Sequence, residues 1–558
     1  MSIIVPGLLM LIPLAGALAI LVMPGGKAKW VAAAFSALAL GYNIVLAILY
    51  QSWGTSEFGF AAQFEWLKLL NISFSLGIDS VSMLLVLLTT LMSLIAIVGA
   101  FSDIKKRRRE FYAWMLVLEA AMIGVFIARD LILFYICFEV TLIPMFFLIA
   151  IYGGKNRGAA SVKFFIYTFT GSILALAGLL YVVWSYALAH NGQWNFSIEA
   201  LTNYAALNLT ALEQGWVLAA LLAGFAVKIP VFPVHTWLPL AHTEAPTAGS
   251  VILAAILLKL GTYGVYRFVL PMLPEGVVNW APIIAIFALI GILYAALICW
   301  VQTDVKRLVA YSSVSHLGFC VLGLIALNPM GLDGAVLYMI NHGLSTGALF
   351  LLVGMMYERY HTRDMGSIGG LARLMPLWSF FMVFFVLASV GLPGLNGFVS
   401  EFLCLIGTYA ANADAVSYPG VLGPWYAAIA VLGIVLAAMY LLIMVGKVVF
   451  GPVKTPMPKH DDSAGLSQDL NAREIGVLVP LAALCIFIGV QPSLFTDAIA
   501  GSVESTLARY PETVRKERVA NQRQEQPVVL MNQWGSEVGS LRLLLVQPET
   551  LRKEDQDG

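Results

Sequence analysis

The sequence predicts an all-α polytopic membrane protein with about 14 transmembrane helices. Of its 558 residues 60% are hydrophobic and 11% charged, against roughly 25% charged in soluble chains. The apolar residues also come in runs of about 20, the length that crosses a hydrocarbon core roughly 30 Å thick. A single water-soluble core does not explain that balance.

In chain order the runs cover 3–23, 30–50, 79–101, 112–129, 131–152, 161–189, 215–235, 246–270, 278–301, 308–327, 332–356, 376–409, 425–449 and 475–495. No basic residue precedes the first run, and no small-residue cleavage pattern follows it. It therefore reads as a retained span rather than a signal peptide, and nothing suggests an organelle transit sequence. Cys137, Cys299, Cys320, Cys404 and Cys485 stand singly in apolar runs with no CxxC pair. That pattern gives no case for a zinc, iron-sulfur or redox dithiol site and reads as small core residues.

Lys and Arg together number 32, as do Asp and Glu, and the zero net charge conceals an asymmetry. With the N-terminus outside, nineteen basic residues fall in inside loops, from Lys27 and Lys29 through the run Lys105 to Arg109 to Arg473. Outside loops hold Lys68, Arg129 and Arg267. The positive-inside rule fixes this orientation and places both termini on the outer side. The run at 105–109 is then a topology anchor rather than a nucleic-acid patch. The extension 501–558 turns polar, with short apolar pieces at Pro527 to Met531 and Leu541 to Val546. It reads either as an appendage packed on a neighbour or as a disordered tail.

A charge at mid-bilayer is costly and marks function by default. Five candidates lie in the runs: Glu119, Glu139, Lys228, Lys259 and Glu401. His316 and His342 join them, and His235 and His242 flank the seventh and eighth runs. Burial draws lysine and glutamate toward neutrality while a nearby opposite charge pushes them back, so a Glu/Lys pair that can separate is a proton switch. Histidine relays protons through either ring nitrogen. The plainer reading of a lone histidine is an interhelical hydrogen bond. Glu119 lies near a span end or faces a partner subunit, and its role stays open.

Two charge-bearing runs are interrupted. Pro230 and Pro233 follow Lys228, and Gly391, Pro393, Gly394 and Gly397 precede Glu401. Proline removes a backbone donor, and freed backbone groups at membrane depth require protein or water to satisfy them. Helices four to eight and nine to thirteen then form two five-helix repeats, at 111–270 and 271–450. The breaks fall in helices 7 and 12, the fourth of each unit. An odd number of helices inverts the second copy, and matching broken helices in inverted repeats point to a transport site. Residues 1–110 form an N-terminal three-helix segment, and 451–500 carry helix 14.

The stretch KIPVFPVHTWLPLAHTEAPTAGSVILAAILLKLGTYG from Lys228 to Gly264 resembles the antiporter-like membrane subunits of respiratory complex I. So do QTDVKRLVAYSSVSHLGF at 302–319 and FEVTLIPMFF at 138–147. Those subunits are related to Mrp-type sodium/proton antiporters and to energy-converting hydrogenase arms. Glu401 makes the chain most similar to the subunit M type, the counterpart of mitochondrial subunit 4, since the L and N types usually carry lysine there.

The resemblance implies that Glu139 and Lys228 form a modulating ion pair, Lys259 a central relay and Glu401 a terminal exchange site. His235, His242, His316 and His342 would lie along the polar axis. It implies a proton-translocating subunit of an NADH:quinone oxidoreductase in a bacterial inner membrane, beside L- and N-type neighbours and lipid. It also implies that NADH, FMN, iron-sulfur clusters and quinone belong to other subunits, and the lack of a GxGxxG, cluster-ligand or flavin pattern in this chain is consistent with that division. An Mrp-type antiporter or hydrogenase arm, and a membrane scaffold without transport, are the alternatives.

Overall fold

A computed structural model describes residues 4–412, 414–454 and 468–519. Among these residues thirteen helices are long and apolar enough to cross a membrane, from Ile4–Val22 to Ala472–Val490, and they coincide with thirteen of the expected runs. The remaining run is the twelfth span. Its helix Pro376–Val390 stops at Gly391, whose φ of 83° ends it in the left-handed region. The chain resumes as Asn396–Ala410. The seventh span breaks as expected too. Ala211–Lys228 ends at the lysine, and Leu238–Glu244 continues after a turn.

Burial sorts the spans into layers. The eighth, Thr247–Met272, and the eleventh, Pro329–Tyr360, are enclosed along their most apolar stretch, and the tenth, Val305–Ile325, nearly so. The first two spans and the last are peripheral. Lipid is as apolar as a leucine side chain, so close contact between small residues drives helix association here. The sixth span, Arg157–Ala189, meets the seventh through Gly171, Ala175 and Gly178. A Cβ on Gly171 would lie 2.7 Å from Ala223 O, and one on Gly178 would lie 2.9 Å from Ala220 Cβ. That close approach sets the position of Lys228 at the end of the seventh helix.

The connection between the second and third spans adds an element outside the helical pattern. Strands β1, Gly59–Leu67, and β2, Ile72–Ile78, form an antiparallel hairpin in which Phe64 faces Phe74. Asn71, at φ 54°, turns the chain. Asp130 ties β2 to the bundle. Its carboxylate caps the fifth span through Ile132 N at 2.9 Å and Leu133 N at 3.3 Å, and accepts from Ser73 N at 3.1 Å.

Residues 493–519 close over the face that carries the hairpin, and Ser493–Leu507 form a helix there. Tyr510 donates to Leu270 O at 2.7 Å, Arg509 to Asn203 at 2.9 Å, and Arg518 to Asp414 at 2.9 Å. The first part of the polar extension therefore packs on its own chain. The pieces Pro527 to Met531 and Leu541 to Val546 lie outside the described residues. On the opposite, basic face, Arg359 pairs with Glu474 at 2.8 Å and Arg473 donates to Ser102 at 2.9 Å, joining the eleventh and last spans to the loop after the third.

Candidate proton path

The fifth span, Leu131–Tyr152, is helical to Val140 and again from Leu142. Pro144 has no N–H for the carbonyl four residues back, which weakens the helix beside Glu139. Thr141, at the join, donates to Phe138 O at 2.7 Å. Lys228 docks there. Its Nζ donates to Phe138 O and Thr141 Oγ1, both at 3.2 Å, and sits 3.6 Å from the centre of the Phe138 ring.

Lys228 forms no ion pair among the described residues, and Glu139 Oε1 is buried without a partner. The expected Glu139–Lys228 pair is therefore held apart, with Ser172 the polar neighbour of the carboxyl group. The broken backbone beyond Lys228 is satisfied locally. Trp237 Nε1 donates to Val227 O at 2.9 Å, and Val231 N to Ala226 O at 2.9 Å.

The eighth span touches the seventh at Gly261, where a Cβ would lie 2.8 Å from Phe225 O and 2.9 Å from Ile229 N. Two residues earlier, Lys259 is completely buried between π-helical segments Leu253–Leu257 and Val265–Val269. A π-turn shifts the register of backbone bonding. Lys259 Nζ donates to Ala254 O at 2.6 Å and lies 2.7 Å from His342 Nδ1.

From His342 the ring centre of His316 is 6.2 Å away. His316 Nδ1 lies 3.2 Å from Glu401 Oε1, and Tyr338 donates to the same oxygen at 2.6 Å. Tyr440 OH, 3.4 Å from Nε2, holds the other side of the ring. A cavity of about 10 Å3 lies between His342 and Glu401, room for about one water. His342 Nε2, Asn341 Oδ1 and Ser389 Oγ, on the residues around it, are buried without a protein partner.

The structure thus joins Lys259 to His342 and His316 to Glu401, and leaves three expected residues at the margin. His235 stacks on Phe232 at 5.8 Å within the seventh-span break, with Nδ1 unpartnered. His242 stacks on Phe350 at 4.5 Å, with both ring nitrogens unpartnered. Glu119 departs from expectation. It lies mid-span in Arg108–Ile127, fully enclosed within the chain, and accepts from Ser36 at 3.1 Å. It is neither at a span end nor directed at a partner.

Two cations expected in loops belong to helices. Lys306 sits buried in the first turn of the tenth span and donates to Ala245 O at 2.6 Å. Asp304 immediately before it is the helix cap, accepting from Arg307 N at 3.1 Å, a signal visible in the TDVKR sequence. Arg267 lies within the eighth span and pairs with the buried Asp79. Tyr338 and Asn341 gave no separate sequence signal, each being one polar group in an apolar run.

Comparison with known proteins agrees with this architecture. The family model for NADH:quinone oxidoreductase/Mrp antiporter membrane segments matches residues 128–425. NADH-quinone oxidoreductase subunit M of Rhodobacter capsulatus is 40% identical over 512 residues, 89% of this chain and 95% of the relative. NADH-ubiquinone oxidoreductase chain 4 of Marchantia polymorpha is 38% identical over 501 residues, 89% of this chain and 96% of the relative. A chain of respiratory complex I from Thermus thermophilus with bound NADH superposes with a TM-score of 0.79 at 29% identity, covering 91% of this chain and 99% of that one. A chain of the Mrp complex from Dietzia sp. shares the fold, with a TM-score of 0.77 at 20% identity over 90% of this chain and 52% of that one. With its broken spans and buried Lys/His/Glu line in place, the chain belongs to the NADH:quinone oxidoreductase/Mrp antiporter family of membrane subunits.

Proposed function

We propose that this chain is a proton-translocating membrane-arm subunit of an NADH:quinone oxidoreductase, moving protons along Glu139, Lys228, Lys259 and Glu401 with histidines between. The observation that carries the reading is the 2.7 Å contact of Lys259 with His342, followed by the His316–Glu401 contact, in a core sealed from lipid. A charge enclosed at membrane depth persists where it is used or paired, and Lys259 has no carboxylate partner among the described residues. The separated Glu139 and Lys228 are one position of a two-position switch; closing the pair would change the charge that Lys259 feels.

The five-helix repeats at 111–270 and 271–450 place the breaks of helices 7 and 12 correspondingly. Lys228 precedes its break and Glu401 follows its own, so the repeat matches the backbone interruption rather than the charge. The chain takes the class of translocase from its assembly. NADH, FMN, iron-sulfur clusters and quinone act in other subunits, and L- and N-type subunits flank this one. The basic face lies on the inner side of a bacterial plasma membrane, with both termini outside.

The test is proton pumping per NADH oxidised in membrane vesicles carrying Lys228→Ala or Glu139→Ala. Loss of pumping in either supports the path, and unchanged pumping in both would leave a scaffold. Co-purification separates the family's two branches. Flavin and iron-sulfur subunits accompany a complex I subunit, whereas their absence together with sodium-dependent transport would favour the antiporter.

A further inference from the structure

The same span that carries Lys259 carries a second polar constellation toward the hairpin face. Tyr263 and Arg267 follow at four and eight residues, on the same helical side. Tyr263 donates its hydroxyl to Phe126 O at 3.0 Å, lies 3.0 Å from Ser82 Oγ, and accepts from Arg267 Nε at 3.1 Å. Ser82 directs its backbone N–H, at 2.9 Å, and its hydroxyl at the Asp79 carboxylate, which Arg267 pairs. Asp79 is 2% exposed. Beyond the pair opens a cavity of about 720 Å3, walled by the residues after the last span. Its charged lining is Glu57, Asp79, Arg129, Glu199, Arg267 and Arg509. Arg129 is occupied by Glu199 at 2.7 Å, which leaves Glu57 as the carboxylate available to Arg267.

We propose that Tyr263, Ser82 and Asp79 form a second proton outlet from Lys259 to this vestibule, gated by the Asp79–Arg267 pair. The proposal rests on the reading of Lys259 as a relay. The backbones of Lys259 and Tyr263 are one turn apart, about 6 Å of rise, and the outlet requires the lysine to leave Ala254 O and His342 Nδ1 and reach the tyrosine through intervening water. The lysine gives its proton to that water. The tyrosine hydroxyl turns from Phe126 O to Ser82; its oxygen takes one proton as its own passes to Ser82, and the serine proton passes to the Asp79 carboxylate. Lysine and aspartate both end neutral, and no hydroxyl changes charge. Arg267, always protonated, carries nothing. Losing its partner, it turns toward Glu57, and Asp79 then releases its proton to the vestibule. The competing role for these residues is a staple between the third and eighth spans, which would affect assembly and leave the proton yield of assembled complexes unchanged.

The experiment uses the whole complex in vesicles with Tyr263→Phe, Asp79→Asn and, as a reference, Lys259→Met. Assembly is measured by native electrophoresis, NADH oxidation by absorbance, and proton uptake by a pH-sensitive dye. The outlet requires Tyr263→Phe to assemble and oxidise NADH while losing a quarter or more of the protons moved per NADH. An unchanged yield in Tyr263→Phe overturns it. Should Asp79→Asn fail to assemble, the tyrosine variant decides, because it removes one hydroxyl and no charge. Loss of pumping in Lys259→Met with full pumping in Tyr263→Phe defeats the outlet and keeps the relay. Full pumping in both defeats the relay as well.

Discussion

Lys259 and His342 share one hydrogen bond, with Nζ 2.7 Å from Nδ1 at the enclosed centre of the helix bundle. A protonated lysine has donors alone, and so has a doubly protonated imidazole. At this distance one partner must accept, so the couple holds the contact in either of two states that differ by where the proton sits. His316 and Glu401 repeat the arrangement at 3.2 Å, and the water-sized cavity lies between the two couples. On the proposed function, the two couples each hand a proton across a short bond and form the parts of a relay.

The resting dock of Lys228 is expected to set how readily it reaches Glu139. Thr141→Val keeps the side-chain shape and removes one of two acceptors at 3.2 Å. A neutral hydrogen bond contributes about 1 kcal/mol, so the variant should bias Lys228 toward Glu139 by about fivefold. The initial rate of vesicle acidification per assembled complex should change by up to that factor, with electron transfer from NADH to a soluble acceptor unaffected.

Gly391 joins backbone conformation to the terminal carboxylate. At φ 83° a Cβ costs about 1–2 kcal/mol, and here it would also lie 2.8 Å from Glu401 Oε2. Gly391→Ala should lower both the thermal midpoint and the proton yield. Gly446→Ala is the contrasting case. Its Cβ meets nothing within 4 Å, and in a helix it should stabilise by roughly 0.5–1 kcal/mol. Calorimetry of the purified complex checks both.

The proposed path does not include Glu119. Glu119→Gln keeps an oxygen for Ser36, which now donates at 3.1 Å, and removes a buried titratable group. The expected outcome is unchanged pumping and a thermal midpoint no lower than wild type. A loss of pumping at full assembly would put this residue on the path.

Asp130, in the connection before the fifth span, carries the pH signature. Burial pushes its carboxyl group up from the ordinary value, partly offset by backbone donors from Ser73, Leu133 and Ile132. A group raised on folding favours the folded state most below its unfolded value, and that contribution is lost as pH rises through the folded one. Asp130→Asn keeps the cap acceptor and should flatten this decline across the mildly acidic range. Asp130→Ala should cost about 1 kcal/mol at every pH through the lost cap. Thermal midpoints measured from pH 5 to 8 distinguish the two.

Much of this is legible in the sequence. The spans are, because about 20 apolar residues must cross the membrane without interruption. The breaks are, because Pro230 and the glycines before Glu401 forbid continuous helix. Glu139, Lys228, Lys259 and Glu401 stand out against apolar neighbours. The hairpin carries a signal the helical reading passes over: β2 alternates Ile72, Phe74, Leu76 and Ile78 with Ser73, Ser75 and Gly77, but it is seven residues between two apolar spans, and its partner strand leaves Phe64 and Trp66 exposed. The Asp79–Arg267 pair joins residues 188 positions apart, beyond the reach of any periodic pattern. Lys306 reads as a loop residue because the apolar run begins only at 308, whereas the helix starts at Val305. The separation of Lys228 from Glu139 is a matter of side-chain placement, on which spacing is silent.

The central claim is that protons pass through Lys259. The most direct measurement is the number of protons moved per NADH oxidised in vesicles bearing Lys259→Met, compared with wild type at equal assembly. The methionine fills the lysine volume without the charge, so packing is retained while His342 Nδ1 loses its partner. The relay requires NADH oxidation to continue or slow with proton movement per NADH clearly reduced. A wild-type yield from this variant would contradict it.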